Sequence, residues 1–280
     1  MNAIQERLAP TIWRWIVWAA MAFFVTNVTL MISMVLLSSF GTSWFSGWLP
    51  QGVTTKWYSS AWDEFQLRYV LLVTVQITLS VVAVSLAVGV PAAYVLARME
   101  FRGKQIVMLC FLVPLMVPPM TYGIPMATVL YQVGLGGTMW GVILANLVPS
   151  VPFVVLVMTP FIEQIDPKLE SAARVFGASA MTTFLRVLVP LLMPGILAAG
   201  ILVLIRTISM FELTFLTAGP DSQTLIVALY YSIFAAGVRA QQSIDAMAVI
   251  YMVTTMTGLL IALRFVDPSQ LVGRVKSQKV

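Results

Sequence analysis

MWGVILANLVPSVPFVVLVMTPFI, residues 139–162, contains no Asp, Glu, Lys or Arg. Roughly 20 apolar residues cross the hydrocarbon core of a bilayer as a helix, which satisfies its own backbone groups where water is absent. This stretch is long enough. Five other runs share its character, at 13–37, 69–96, 106–131, 191–213 and 244–265. The expected fold is all-α: one polytopic transmembrane domain over residues 1–280 with about six membrane-spanning helices. The first run is too long for a signal-peptide core and ends without a small-residue cleavage site, so it reads as a retained span.

The chain is 60% hydrophobic and only 10% charged, against about a quarter charged in soluble domains. Its 16 basic and 11 acidic residues give a net charge of +5, and the basic ones sit in short loops. With the N-terminus inside, the cytoplasmic face collects Arg7, Arg14, Arg98, Arg102, Lys104, Lys168, Arg174, Arg186, Arg264, Arg274, Lys276 and Lys279, while Lys56, Arg68 and Arg239 lie outside. That bias places both termini in the cytoplasm, with the chain in the cell inner membrane. No basic patch is interleaved with aromatics, so no nucleic-acid partner is expected. There is no His, and Cys110 is the only cysteine. Disulfides, Cys/His metal sites and His-dependent nucleophilic catalysis are thereby excluded. Cys110 reads as a packing residue.

Between the fourth and fifth spans runs the loop 163–190, with Asp166-Pro167-Lys168-Leu169-Glu170-Ser171-Ala172-Ala173-Arg174-Val175-Phe176-Gly177-Ala178-Ser179 near its middle. Pro167 suits the first turn of a helix with Asp166 as its cap. Gly177 suits its end, and Pro190 the start of the next helix. Ala172, Ala173 and Ala178 offer a small-residue surface that another protein can approach closely. A plain inter-helix loop is the alternative.

This loop resembles the cytoplasmic signature of membrane subunits of binding-protein-dependent ABC importers: Glu-Ala-Ala, three residues, Gly, nine residues, then Ile-x-Leu-Pro. Here Ser171-Ala172-Ala173 is followed after three residues by Gly177, and after nine more by Val187-Leu188-Val189-Pro190. Ser171 stands in the Glu position, with Glu170 one place earlier, which leaves open which of the two makes the polar coupling contact. Thr54-Thr55-Lys56-Trp57-Tyr58, Pro91-Ala92-Ala93-Tyr94, Phe101-Arg102-Gly103-Lys104, Gly134-Leu135-Gly136-Gly137 and Gly219-Pro220 are similar, in the same order, to elements of spermidine/putrescine-type permeases.

The resemblance implies a heteromeric importer. A second permease subunit, identical or different, completes the path, and two cytoplasmic ATPase subunits dock on the loop through Glu170, Ser171, Ala172, Ala173 and Gly177. An extracytoplasmic solute-binding protein delivers the cargo. The chain has no Gly-rich phosphate loop ending in Gly-Lys-Ser/Thr, so it is expected to be no enzyme and to bind no cofactor, with ATP and Mg on its partners. The resemblance favours a small organic cation such as a polyamine; iron, thiamine, phosphonate and opine permeases are also similar.

Candidate substrate-path residues are charges or polar groups inside spans, where they are costly unless they face protein or a cavity. Arg206 and Glu212 in the fifth span, Asn146 in the fourth and Tyr122 among the prolines of the third are the candidates. Packing is the competing role for each. Pro114, Pro118, Pro119, Pro125, Pro149, Pro152 and Pro160 predict kinked helices lining a path. Trp44, Trp48, Trp57, Tyr58 and Trp62 suit the membrane interface, and residues 224–238, with Gly237, an interfacial or re-entrant helix. Asp245 suits the start of the sixth span, where a carboxylate favours the helix dipole. An ion-coupled secondary transporter is the rival class, and an intramembrane enzyme lacks both His and a paired-carboxylate arrangement.

Overall fold

The computed structural model describes residues 2–43, 47, 49–234 and 240–264, with residues 2–12 and 262 as backbone alone. Expectations for Trp44, Trp48, Gly237, Arg239, Phe265, Arg274, Lys276 and Lys279 fall outside the described residues. The chain divides into two compact units, Met1–Glu64 with Ala235–Ile250, and Phe65–Phe234 with Tyr251–Val280. Among the described residues all regular structure is helical.

In the first unit, α1 (Asn2–Phe40) carries a 28-residue apolar stretch, Trp13–Phe40, whose most apolar window buries nothing. Trp15 and Phe23 are 72% and 73% exposed. Lipid or another protein must cover this helix, because water cannot. The helix α2 (Lys56–Glu64) is tied to the end of α1. The Trp57 indole donates to the Gly41 carbonyl at 2.7 Å, and the Tyr58 hydroxyl meets Ser39 Oγ at 2.8 Å. Sequence reading put Trp57 and Tyr58 at the membrane interface. Both are half-buried in this loop, where each ring's polar atom finds a protein partner. Asp245, near the start of α12 (Gln241–Leu263), accepts from the Ser38 hydroxyl and from Gln241 Nε2.

In the second unit three long helices make the core: α3 (Leu67–Arg98), α6 (Met139–Glu163) and α9 (Val189–Ile208). Val73, Ile77 and Val81 repeat every fourth residue on α3, as do Val154, Met158 and Ile162 on α6; Leu192, Ala199 and Val203 complete the cluster. This spacing lines one helical face with apolar groups. Where α3 meets α6, a Cβ on Gly89 would lie 2.6 Å from Val154 Cγ1. Small residues let helix backbones approach in a membrane, where packing itself drives association.

The third expected span is not one helix. It comprises α4 (Lys104–Met116) and α5 (Pro119–Gln132), bent by 99°. A residue before proline is pushed out of the helical region. Val117 precedes Pro118 and Pro118 precedes Pro119, and both adopt ψ of 134°. Two successive residues are thus extended, and Pro119 restarts the helix at its first position. Helix α4 buries none of its side chains, so Cys110 is exposed rather than packed.

The fifth span begins earlier and ends earlier than expected. It starts with α8 (Ala180–Thr183), capped by Ser179 Oγ accepting from the Thr182 amide at 3.2 Å. A π-helical turn at Phe184–Leu188 leads into α9. Pro190 stands in the first turn of α9, as expected, where its missing donor costs little; the π-turn joins that start to α8. After Ile208 the chain breaks, and α10 (Glu212–Thr217) begins. The remaining helix, α11 (Leu225–Phe234), is too short to span.

Gly89→Ala should lower stability by about 1–3 kcal/mol through overpacking against Val154, read as an earlier thermal transition of the detergent-solubilised protein. Gly258→Ala, whose Cβ would meet nothing closer than 3.7 Å, should be neutral or stabilising.

Candidate coupling helix and translocation path

The loop signature folds into α7 (Lys168–Val175). At its start, Asp166 Oδ1 accepts from the Lys168 amide at 2.9 Å, a side-chain cap on an otherwise orphan donor. At its end, Gly177 adopts φ of +83°. Its amide donates to the Arg174 carbonyl, and the Ala178 amide to the Ala173 carbonyl at 3.0 Å. This pair of bonds is a Schellman termination, which favours glycine at the left-handed position. Only Ala178 separates Gly177 from the Ser179 cap of the following helix.

The side chains of α7 divide by face. Glu170 is only 6% exposed. Its Oε1 accepts from Arg98 Nε at 2.8 Å and its Oε2 from the Tyr94 hydroxyl at 2.7 Å, both at the end of α3. Arg98 also donates to the Ile165 carbonyl at 2.6 Å. Ala173, one turn after Glu170, is half-buried. Ser171 and Ala172 are exposed, the Ser171 hydroxyl turning back to the Pro167 carbonyl at 3.4 Å. Leu169 is exposed too, and Val175 and Phe176 are 85% and 90% exposed. An apolar ridge of Leu169, Ala172, Val175 and Phe176 therefore stands on the opposite side from Glu170.

The path candidates gather partly. Arg206 lies in the last turn of α9 and Glu212 in the first turn of α10. They do not share one continuous helix, because the chain breaks between them. The Arg206 guanidinium sits over the Phe153 ring of α6, 5.4 Å from its centroid. Neither charge forms an ion pair among the described residues. Tyr122 lies on α5, and its buried hydroxyl has no hydrogen-bond partner among the described residues. Asn146 is placed differently: at 1% exposure its Nδ2 donates to the Val142 carbonyl and, at 3.2 Å, to Thr214 Oγ1 of α10. It clamps α6 to α10.

Two groups escaped sequence reading. Phe211 and Phe215 flank Glu212 and stack at 5.1 Å, and Tyr230 of α11 reaches both at 4.8 and 5.2 Å. Tyr231 and Phe234 extend this aromatic array. Its signal is the i, i+4 spacing of Phe211 with Phe215 and of Tyr230 with Phe234, interrupted by a carboxylate. The same spacing aligns Tyr94 with Arg98.

Residues 85–271 match the family described as binding-protein-dependent transport system inner membrane component. The molybdate/tungstate transport system permease protein WtpB of Pyrococcus abyssi is 33% identical over 69% of this chain and 74% of its own length. The spermidine/putrescine transport system permease protein PotC of Escherichia coli K12 is 25% identical over 91% of this chain and 90% of its own. Among solved structures, a bacterial ABC transporter that imports the acidic polysaccharide alginate aligns with a TM-score of 0.76 at 17% identity, over 91% of this chain and 97% of that one. Broken spans, a capped loop helix and the matched family agree: the chain belongs to the binding-protein-dependent inner membrane components and is a multi-pass permease subunit of a type I ABC importer.

Proposed function

We propose that this permease forms, with a second permease subunit, a path for a small organic cation such as a polyamine. The observation that carries the reading is the cluster of the Phe211, Phe215 and Tyr230 rings, with Glu212 following Phe211 directly in the chain at the start of α10. Aromatic faces attract ammonium groups, and the half-buried Glu212 carboxylate supplies the opposite charge. The likeness to the spermidine/putrescine permease over most of the chain supports it. A second reading, a tetrahedral oxyanion, is favoured by Arg206, which has no carboxylate partner among the described residues, and by the molybdate/tungstate relative.

In this proposal the loop 163–190 and both termini face the cytoplasm, and the apolar ridge of α7 seats in an ATPase subunit that binds ATP and Mg. A solute-binding protein delivers cargo on the other side. Cargo moves when ATP-driven motion of α7 biases the spans between two openings, which requires contacts that differ between the two states. The exposed α1 is covered by lipid and the second permease.

Three measurements bear on this. Spermidine, not molybdate, should be taken up by vesicles carrying the complete importer; Glu212→Gln should raise the half-saturating concentration about tenfold, with Arg206→Gln far less damaging. Uptake of molybdate alone, abolished by Arg206→Gln, would install the oxyanion reading instead. Phe176→Ser should weaken retention of the ATPase subunits roughly thirtyfold, as loss of a buried aromatic anchor does; full retention would remove the ridge as the docking surface. In a Cys110→Ala background, a cysteine at Ser179 should label only from the cytoplasmic side, and outside-only labelling would invert the orientation.

A further inference from the structure

We propose that Tyr94 and Arg98, at the end of α3, are positioning residues that hold the coupling helix α7 through Glu170 and carry its displacement into the membrane. The proposal rests on the reading of α7 as the ATPase-docking helix. Its starting point is where the Glu170 carboxylate is spent. One oxygen is on Arg98 Nε at 2.8 Å and the other on the Tyr94 hydroxyl at 2.7 Å. Glu170 is 6% exposed, so both oxygens point into the subunit and away from a docked partner. Ser171, in the place where similar permeases carry Glu, is exposed but carries no charge.

Two hydrogen bonds from different residues fix both the distance and the orientation of a carboxylate, which a single apolar contact does not. The Arg98 fork is anchored a second time on the Ile165 carbonyl at 2.6 Å, just after α6. The Tyr94 ring packs on Phe184 of the π-turn, with centroids 5.3 Å apart. Four segments therefore meet at this contact: α3, the end of α6, α7 and the turn leading into α9. A buried charge pair resists separation strongly, because removing either partner leaves the other charge unpaired. When α7 moves, α3 follows or the pair breaks. This makes the contact a transmission element rather than a docking contact.

The experiment uses the complete importer in lipid vesicles, with ATP hydrolysis measured with and without its solute-binding protein, purified with bound cargo. The readout is the ratio of the two rates, alongside retention of the ATPase subunits. Glu170→Gln, Arg98→Gln and the mild Tyr94→Phe should retain the ATPase subunits but lose the stimulation by about fivefold or more. The exchange Arg98→Glu with Glu170→Arg should restore most of it. Lys104→Gln, which removes the neighbouring exposed pair with Glu100, should leave the ratio as in the parent. An unchanged ratio in Glu170→Gln and Tyr94→Phe, or an exchange no better than either single charge variant, overturns the proposal. Phe176→Ser separates this from the reading beneath it. If that variant releases the ATPase subunits while the Glu170 and Tyr94 variants keep a normal ratio, docking stands and transmission falls. If Phe176→Ser keeps the subunits and Glu170→Gln loses them, Glu170 is itself the docking contact and both fall.

Discussion

A bilayer offers no hydrogen-bond partner to a peptide group, so each departure from regular helix in this chain has to be answered inside the protein. At the bend between α4 and α5 the Val117 amide still reaches the Val113 carbonyl at 3.0 Å, and the Thr121 amide reaches Pro118 at 2.9 Å. Pro118 and Pro119 have no donor to strand. At the break after α9, the Met210 amide closes on Thr207 at 3.2 Å and the Phe215 amide on Phe211 at 2.7 Å. Prolines and tightened turns thus open the helices with few orphan groups. The breaks allow α10 to lie against α5 and α6, where Leu213 packs with Leu130 and Ala145.

The same constraint explains how charges are distributed. Glu170 is buried, and the half-buried Arg98 pairs with it. Arg206 and Glu212 are half-buried and form no ion pair among the described residues, and they stand at the two sides of a helix break. The contrast is between a closed pair at α7 and two charges on either side of a helix break that have no ion partner among the described residues.

The long apolar runs were legible because hydrophobic length is a property of single segments. Residues 69–96 and 139–162 became α3 and α6 almost to the residue. The signature loop was legible too: Asp166 and Gly177 are local devices, and each does what its chemistry suggests. The prolines at 118 and 119 announced a kink, yet its size depends on two consecutive extended residues. Less visible was anything set by a distant partner. Whether Glu170 or Ser171 was the committed polar group depended on Tyr94 and Arg98, more than 70 positions away in the chain. The aromatic array around Glu212 likewise needs α11 to fold back on α10, and no periodicity within either segment states that.

The π-turn at Phe184–Leu188 also fixes an angle. Each residue of an α-helix advances the chain by about 100°, and a π-turn accommodates one residue more than the α-helical turn it replaces. Everything before this turn is therefore rotated about the helix axis relative to where an uninterrupted helix would have put it. The spacing from Gly177 to Pro190 passes through this turn, so it counts azimuth as well as length. Deleting one residue between Phe184 and Leu188 would leave an apolar helix of nearly the same reach. It would swing α7 by about a quarter turn or more and aim the Phe176 ridge at a different quadrant. The number of residues in this connection is thus a compass setting for α7.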